Sequence, residues 1–306
     1  MESGQIFDFS TKRKSAIAAA HLTRRGNVPL FSIVEISAVA ACNRRCSFCP
    51  VSDEYYKKVG LSGTMKQPLY EKLIDDLKGI EYSGLILFSG ESEPLLHKRL
   101  DRMISLGKSS LPQAKIEINS NGDLLTEKKL EFLFRAGLDT LMISMYDGPH
   151  QIKEFTELRK RAGLSSTQIL LRRRYLEDGN YGINMTNRGG LIAPDAFHIL
   201  DDNKLEPTFP IKKQCFYPFY MVMLDVAGNV TICSHDWAKR YVVGNFKTDH
   251  IYDIWVGQKF ETARKKLARC DRSLPACRNC NAIGTLIGQK HFDEWEIFYR
   301  QTLTDK

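Results

Sequence analysis

The amino-acid sequence predicts an α/β protein in which a parallel sheet of five or six strands forms a partial, TIM-like barrel, followed by a small α+β domain. Apolar segments with strand periodicity alternate with segments of helical periodicity, the pattern of repeated β–α units. This pattern covers only about 160 residues, 31–191, whereas a complete eightfold barrel needs about 200–250. Five of the eight cysteines fall in the last third of the chain, after the alternating segment.

The predicted elements follow one another regularly. The first strand, residues 31–37, alternates apolar and polar positions and leads directly into three closely spaced cysteines. Later strands are predicted at 85–88, 115–119, 140–145 and 168–173, and helices at 70–77, 95–106, 127–136 and 151–161. Residues 178–190 are loop-like, so we expect an abbreviated barrel. Reactive groups in such folds lie at the carboxyl ends of the strands, which is where these cysteines are.

Length and composition set the domain organisation. A chain of 306 residues with 43% hydrophobic content is expected to bury a large core and to form one large and one small domain. We predict an N-terminal extension at 1–30, the partial barrel at 31–200 and the C-terminal domain at 201–306. No apolar run is long enough to span a bilayer. Eight cysteines without an export signal favour metal ligation in a reducing compartment, so we expect a cytoplasmic protein without a membrane partner.

The charge of the chain bears on its partners. A formal net charge of +8 is compatible with nucleic acid or with an anionic substrate. The basic residues are dispersed in short groups and are not interleaved with aromatic residues as in RNA-binding motifs. We therefore expect no nucleic-acid partner, and the charge weakly favours an anionic substrate.

The most informative motif is the spacing C-x3-C-x2-C formed by Cys42, Cys46 and Cys49. Three thiolates this close can converge on one centre, and sulfur ligands suit zinc or an iron–sulfur cluster. Structural zinc requires four ligands, whereas a cubane cluster held by three cysteines leaves one iron open to a small molecule. A zinc site completed from elsewhere and a disulfide with one free thiol are the alternatives.

This loop, with Phe48 as the aromatic residue before the third cysteine, resembles the signature loop of the radical S-adenosylmethionine (SAM) enzymes. The resemblance implies that the three cysteines hold a 4Fe–4S cluster whose open iron binds SAM. It also implies reductive cleavage of SAM to a 5′-deoxyadenosyl radical, driven by a one-electron reductant such as flavodoxin or ferredoxin. A partial barrel of about six strands is part of the same expectation.

Segments that follow the later strands resemble SAM-binding positions of this family. Residues 89–96 are similar to its Gly-Gly-Glu-Pro segment, with serine in place of the second glycine. That serine would be strained if its backbone had a positive φ, and it can instead cap the next helix. For Asn121 the alternative is an ordinary Asn-Gly turn, and for Arg172 it is a solvated position at the edge of the sheet. The resemblance implies SAM contacts from Gly90, Ser92, Glu93, Asn121, Ser144 and Arg172, the last as partner of the SAM carboxylate.

The second group of cysteines lies in the last third of the chain. Four ligands of this kind can close a zinc site or saturate an iron–sulfur cluster, and their spacing favours neither. The surrounding motifs, including a glycine five residues before Cys233 and a terminal C-x2-C pair, resemble the SPASM and twitch domains of radical SAM enzymes. The shorter twitch form implies one auxiliary 4Fe–4S cluster in a small C-terminal α+β domain. Its implied ligands are Cys215, Cys233, Cys277 and Cys280.

The eighth cysteine, Cys270, separates the candidate reactions. It is either a thiol packed at a helix end, a replacement ligand, or a hydrogen-atom donor to a substrate radical. The last role would make the protein a radical epimerase. The favoured interpretation is instead a dehydrogenase that oxidises a secondary alcohol of a small sugar or aminocyclitol, with the auxiliary cluster as electron acceptor. Arg188 is then predicted to hold a substrate oxygen or to assist its deprotonation.

Two further alternatives remain open at this level. A peptide-modifying enzyme usually carries an N-terminal peptide-binding domain, and the residues before the first strand are too few for one. A non-enzymatic iron–sulfur or zinc module would normally saturate its metal, which the three-cysteine loop does not.

Overall fold

The structure is a computed structural model that describes residues 9–46, 48–52, 59–175, 186–192 and 208–304. The predicted loop at 178–190 lies outside these ranges up to residue 185, and so does the predicted domain boundary at residue 200. The first elements are helix α1, Phe9–Ala20, and two short antiparallel strands, β1 at Arg24–Arg25 and β2 at Val28–Pro29.

Strands and helices then alternate as the sequence predicts. The elements are β3 Ile33–Ile36, α2 Gln67–Gly79, β4 Leu85–Phe88, α3 Leu100–Ser110, β5 Lys115–Ser120, α4 Glu127–Arg135, β6 Thr140–Met145, α5 His150–Arg161 and β7 Ile169–Arg173. The five strands are parallel neighbours in the order β3-β4-β5-β6-β7.

The C-terminal region extends the same sheet. Its elements are α6 Tyr217–Tyr220, β8 Met221–Leu224, β9 Asn229–Thr231, β10 Val242–Asn245, α7 Ile251–Val256, α8 Gln258–Ala268 and α9 Gln289–Thr304. β8 pairs in parallel with β3 and becomes the sixth parallel strand, whereas β9 and β10 follow as an antiparallel extension. The eight-stranded sheet has β10 at one edge and β7 at the other, so it is open. The expected five or six strands of a partial barrel are present.

The two faces of the sheet have different chemistry. One face is built from fully buried apolar residues such as Ile36, Phe88 and Ile118, and helices pack on it. The alternate positions on the other face carry polar side chains, for example Glu35 and Asn119, which line a cavity. The polar positions of the first strand therefore face this cavity and not bulk solvent.

One predicted helix is wrong in its extent. The segment 95–106 is split into a 3-10 turn at Pro94–Leu96 and α3, which begins at Leu100. The Glu93 carboxylate accepts a hydrogen bond from the Leu95 N–H, and the backbone at His97 is extended. This local cap ends the first turn before the helix proper starts. Among the described residues, no helix is long and apolar enough to cross a membrane.

Candidate active site

A cavity of about 270 Å³ lies at the carboxyl ends of the parallel strands. Parallel strands place their carboxyl ends at one edge of the sheet, so loops that are distant in sequence meet there. The cavity is lined by all the candidate residues of the three-cysteine loop and of the predicted SAM-binding positions. Arg188, from the segment between the predicted barrel and the C-terminal domain, also lines it. These residues are Cys42, Cys46, Phe48, Cys49, Gly90, Ser92, Glu93, Asn121, Ser144, Arg172 and Arg188.

The three-cysteine loop is fastened to neighbouring strand ends by Arg44. Its guanidinium donates to Asp123, which follows β5, and to Asp147, which follows β6, each at 2.7 Å. These two carboxylates raise the pKa of Arg44 above its ordinary value. Phe48 stacks on Tyr146 with ring centroids 5.9 Å apart. The loop is thus held from both sides while its cysteines remain half-buried at the cavity.

The three thiols fit an iron–sulfur cluster. Burial raises the pKa of all three, and for Cys46 the neighbouring cysteines add to it, to about 11. Three free thiolates are therefore disfavoured at neutral pH. A cluster removes this penalty because its irons take up the thiolate charge. With three soft donors and an adjoining cavity, the loop can hold a cluster that keeps one position open for a ligand.

The segment after β4 combines a required glycine with an unstrained serine. Gly90 has φ +84°, and a Cβ there would meet the side chain of Met223. Ser92 is not among the residues with positive φ, so serine fits this position. The buried Glu93 caps the 3-10 turn and also accepts hydrogen bonds at 2.8 Å from the Ser120 hydroxyl and the Asn121 N–H. Its carboxylate therefore joins the ends of β4 and β5 beside the cysteines, and Glu93 rather than Ser92 is the cap.

Asn121, Ser144 and Arg172 continue this polar wall. The Asn121 amide donates to Asn43 at 2.9 Å and lies 3.9 Å from the Cys42 sulfur. Arg172 on β7 donates to the Ser144 hydroxyl on β6 at 2.7 Å. The structure places all three side chains in the lining of the same cavity. Their contacts with SAM remain predictions.

Arg188 is held in a strained conformation. Its φ of +48° is unusual for a residue with a side chain. The preceding Asn187 fixes the turn, because its amide donates to the Asn279 carbonyl at 2.7 Å and its N–H donates to Asn281 at 2.8 Å. Within the described part of the chain, the buried Nε of Arg188 has no hydrogen-bond partner. The strain and the unsatisfied donor together mark Arg188 as prepared for a ligand.

Glu35 is a site residue that the sequence argument missed. It lies on β3, is 5% exposed and lines the cavity. None of the described residues forms a hydrogen bond or an ion pair with its carboxylate. A buried carboxylate without a partner is costly, which points to a ligand with hydroxyl or ammonium groups. The available signal was the only charged residue of the predicted strand 31–37, flanked by Val34 and Ile36.

His235, which its place just after Cys233 marks in the sequence as a polar candidate, joins Tyr217 in the cavity wall and is buried, not at the surface. His235 Nε2 lies 2.9 Å from the Tyr217 hydroxyl, and its Nδ1 lies 3.1 Å from the Thr186 hydroxyl. Burial, assisted by nearby cations, lowers the pKa of His235 to about 3, so the imidazole is neutral. It therefore contributes hydrogen bonding and shape but no charge.

The four C-terminal cysteines that the sequence assigns to an auxiliary cluster lie close enough together that Cys233 interacts electrostatically with the other three. Each is less than 10% exposed: Cys215, Cys233, Cys277 and Cys280. Burial raises the pKa of every one, and for Cys215, Cys233 and Cys277 other cysteines of the group add to the effect. A Cβ at Gly284 would collide with Cys215, so glycine permits the close packing. Four buried soft donors fit a fully ligated cluster.

One buried cation accompanies these four cysteines. Arg272 is 2% exposed, and its guanidinium donates to the carbonyls of Lys213 at 2.9 Å and Gln214 at 3.0 Å. Its charge partly offsets the rise in the pKa of Cys215 and Cys277. The site thus places a fixed positive charge near four potential thiolates.

Cys270 is placed elsewhere. It follows α8 with φ +61°, the left-handed conformation common just after a helix end, and it is not among the residues that line the cavity. A hydrogen-atom donor must reach the substrate, so the position of Cys270 argues against that role. The helix-end interpretation agrees with the structure.

Comparisons with known proteins agree with this architecture. Residues 36–203 match the model of the radical SAM superfamily, and residues 215–281 match that of SPASM, an iron–sulfur cluster-binding domain. The S-adenosyl-L-methionine-dependent 2-deoxy-scyllo-inosamine dehydrogenase of Niallia circulans is 31% identical over 256 residues, which are 83% of this chain and 94% of that protein.

Solved structures give the same result. The crystal structure of BtrN in complex with AdoMet and 2-DOIA has a TM-score of 0.70 at 29% identity, covering 85% of this chain and 96% of that one. Native anSMEcpe with bound AdoMet has a TM-score of 0.52 at 12% identity, covering 90% and 98%, and supports the fold alone. The predicted family and fold class are confirmed. With them come the predicted cofactors: a SAM-binding 4Fe–4S cluster, an auxiliary cluster and SAM.

Proposed function

Because the chain belongs to the radical SAM superfamily and carries a SPASM domain, we propose that it oxidises a secondary alcohol of a small aminocyclitol or sugar to a ketone. The similarity to an aminocyclitol dehydrogenase extends over 94% of that relative. The cavity that the cysteine loop shares with Arg188 is also lined by polar side chains such as Glu35 and Asn119, which suit a small hydroxylated substrate.

The observation that carries the proposal is Arg188. Its strained turn presents a guanidinium with an unsatisfied donor to the cavity that the three-cysteine loop also lines. An arginine stays protonated at any physiological pH, so it cannot act as the base. It can bind the alcohol oxygen and stabilise the negative charge that develops while the hydroxyl proton passes to water in the cavity.

The chain's other residues would orient the substrate. The buried carboxylate of Glu35 accepts hydrogen bonds from hydroxyl or ammonium groups of the ring, which fixes the ring face presented to the cysteine loop. The loop cysteines would hold the SAM-binding cluster, and the four buried cysteines would hold the auxiliary one. When bound, these groups and SAM supply the radical that removes a carbon-bound hydrogen and an acceptor for one electron. Flavodoxin or ferredoxin is the proposed reductant.

Epimerisation is less well supported because it requires a thiol donor at the substrate. Within the described ranges, the cysteines that line the cavity are Cys42, Cys46 and Cys49. All three belong to the cluster-binding loop, so none of them is available as a hydrogen-atom donor.

The test uses protein reconstituted anaerobically with iron and sulfide, then given dithionite, SAM and 2-deoxy-scyllo-inosamine or a related cyclitol. We expect iron for two clusters, with 5′-deoxyadenosine and ketone formed in step. Arg188→Gln should retain SAM cleavage but reduce the ketone formed per 5′-deoxyadenosine by about 100-fold or more, as for loss of assisted proton transfer. Arg188→Lys, which keeps the charge, should be intermediate. Wild-type ketone yield from Arg188→Gln would refute this role.

A further inference from the structure

Helix α1 lies outside both matched family models but forms part of the cavity. The radical SAM model begins at residue 36, whereas α1 is Phe9–Ala20. Ser10, Thr11 and Lys14 of this helix line the same cavity as the cysteine loop and Arg188. α1 therefore forms a wall of the site, and this wall lies outside the residues that the family models match.

α1 is fixed against the interior face of the sheet. The Arg13 guanidinium donates to both carboxylate oxygens of Glu117 on β5, whose side chain is only 2% exposed. Ser10 is 5% exposed and Ala18 is fully buried, and α1 also packs against α9. A buried, bidentate ion pair fixes the orientation of the helix as well as its position.

The face that α1 turns inward is polar where it meets the cavity. Ser10 and Lys14 are one turn apart and therefore lie on the same side of the helix as Ala18. A helix that packs only for stability presents an apolar stripe at these positions. The polar residues on this side suggest that the face contacts a ligand as well as the core.

Lys14 is the charged group on that face. Its side chain is half-buried at the cavity. No hydrogen bond or ion pair to its ammonium is found among the described residues. Of the two nearby carboxylates in the cavity, Glu93 is already satisfied by three donors, and Glu35 forms no bond with Lys14. A partly desolvated ammonium gains most from an anionic partner.

We propose that Lys14 binds an anionic oxygen group of the substrate, either a phosphate ester or a carboxylate, and so determines specificity for an acidic cyclitol or sugar. This inference rests on the function proposed above. Lys14 would anchor the acidic group at one side of the cavity, Glu35 would accept the ring hydroxyl or ammonium groups, and Arg188 would bind the reacting oxygen. The three charges together would orient a single ring.

The experiment compares three probes on reconstituted enzyme with SAM: a neutral cyclitol, its monophosphate and a cyclitol carboxylate. Binding is measured by calorimetry, and turnover by deuterium transfer from ring-labelled probe into 5′-deoxyadenosine. We expect at least one acidic probe to bind about tenfold or more tightly than the neutral one, the effect of one charge-assisted hydrogen bond. Which of the two binds more tightly identifies the acidic group.

Three variants assign the effect to the residue. Lys14→Gln should remove the preference for the acidic probe, whereas Lys14→Arg, which keeps the positive charge, should retain it. Lys12→Gln is the matched control, because Lys12 is an exposed lysine of the same helix that does not line the cavity. The Lys12→Gln variant should prefer the acidic probe as strongly as the wild type does.

The outcomes separate this inference from the proposed function. If the acidic probes bind no more tightly than the neutral one, or if Lys14→Gln keeps the preference, the inference is overturned even when the neutral probe gives ketone. If an acidic probe binds through Lys14 but yields no ketone under any condition, the inference stands and the dehydrogenase function falls.

Discussion

The two cysteine groups of this protein are built in opposite ways. The loop of Cys42, Cys46 and Cys49 is contiguous in sequence, half-buried and open to the cavity. The other four cysteines come from three separate segments, and all are less than 10% exposed. A loop that must leave one iron for SAM needs an open side, whereas a cluster that only exchanges electrons gains from full ligation and burial.

Hydrogen bonds connect the Arg188 turn at the cavity with the segment that carries the last buried cysteine. The Arg188 turn is bonded through Asn187 to Asn279 and Asn281, which flank the last cysteine of the buried group. The group proposed to bind the reacting oxygen is thus attached to the segment that would hold the electron acceptor. One connected piece of the fold would then position both the substrate and the electron acceptor.

The largest expected effect separates the two groups. Cys42→Ala should lower SAM cleavage by more than about 100-fold, because losing a residue that merely orients a ligand already costs about 10–100-fold. Cys233→Ala should still cleave SAM but form no ketone, since only the acceptor is lost. The measurement is 5′-deoxyadenosine and ketone from the same reaction. If Cys42→Ala cleaves SAM normally, the assignment of the loop is wrong.

A smaller effect is expected where the two regions are joined. Asn187→Ala removes the side-chain hydrogen bonds of Asn187 with Asn279, Gly190 and Asn281 that hold the Arg188 turn. The ketone formed per 5′-deoxyadenosine should therefore fall by about 10–100-fold. SAM cleavage should be unchanged because the cysteine loop is untouched. A parallel fall in both products would instead indicate general misfolding, which the thermal unfolding midpoint would reveal.

A third prediction concerns the charge beside the buried cysteines. Arg272→Gln should lower the reduction potential of the auxiliary cluster by about 59 mV if its cation favours the reduced form tenfold. The potential of the SAM-binding cluster should not change. Arg278→Gln is the control, because this exposed arginine lies next to Cys277 but is screened by solvent. Redox titration followed by EPR checks both, and equal shifts would show that burial of the charge is irrelevant.

The smallest effect is expected at Cys270. Glycine tolerates φ +61° better than cysteine, so Cys270→Gly should raise the free energy of unfolding by about 0.5–1 kcal/mol. Ketone formation should be unaffected. Chemical denaturation and product assays test the two statements separately. Arrest after SAM cleavage would instead restore the radical epimerase as the better hypothesis.

The sequence by itself determined the family, the fold class and the open cluster loop. Each depends on short-range information: the spacing of Cys42, Cys46 and Cys49 within one loop, and the periodicity of apolar residues within single strands and helices. Because parallel strands bring their carboxyl ends together, the sequence also predicted that residues such as Asn121 and Ser144 would share one site. The cap at Glu93 was not predicted, because hydrogen bonds from Ser120 and Asn121 at the end of another strand hold the carboxylate that accepts from the Leu95 N–H.

Only the tertiary structure decided what depends on contacts between distant segments. It placed Glu35 without a partner in the cavity, turned Arg188 into a strained conformation and inserted α1 beside the sheet. It also placed Cys270 away from the cavity, although its residue type suited a hydrogen donor. Burial and the pairing of charges are properties of the assembled chain, so the local pattern can identify reactive residue types but not which of them are buried or left without a partner.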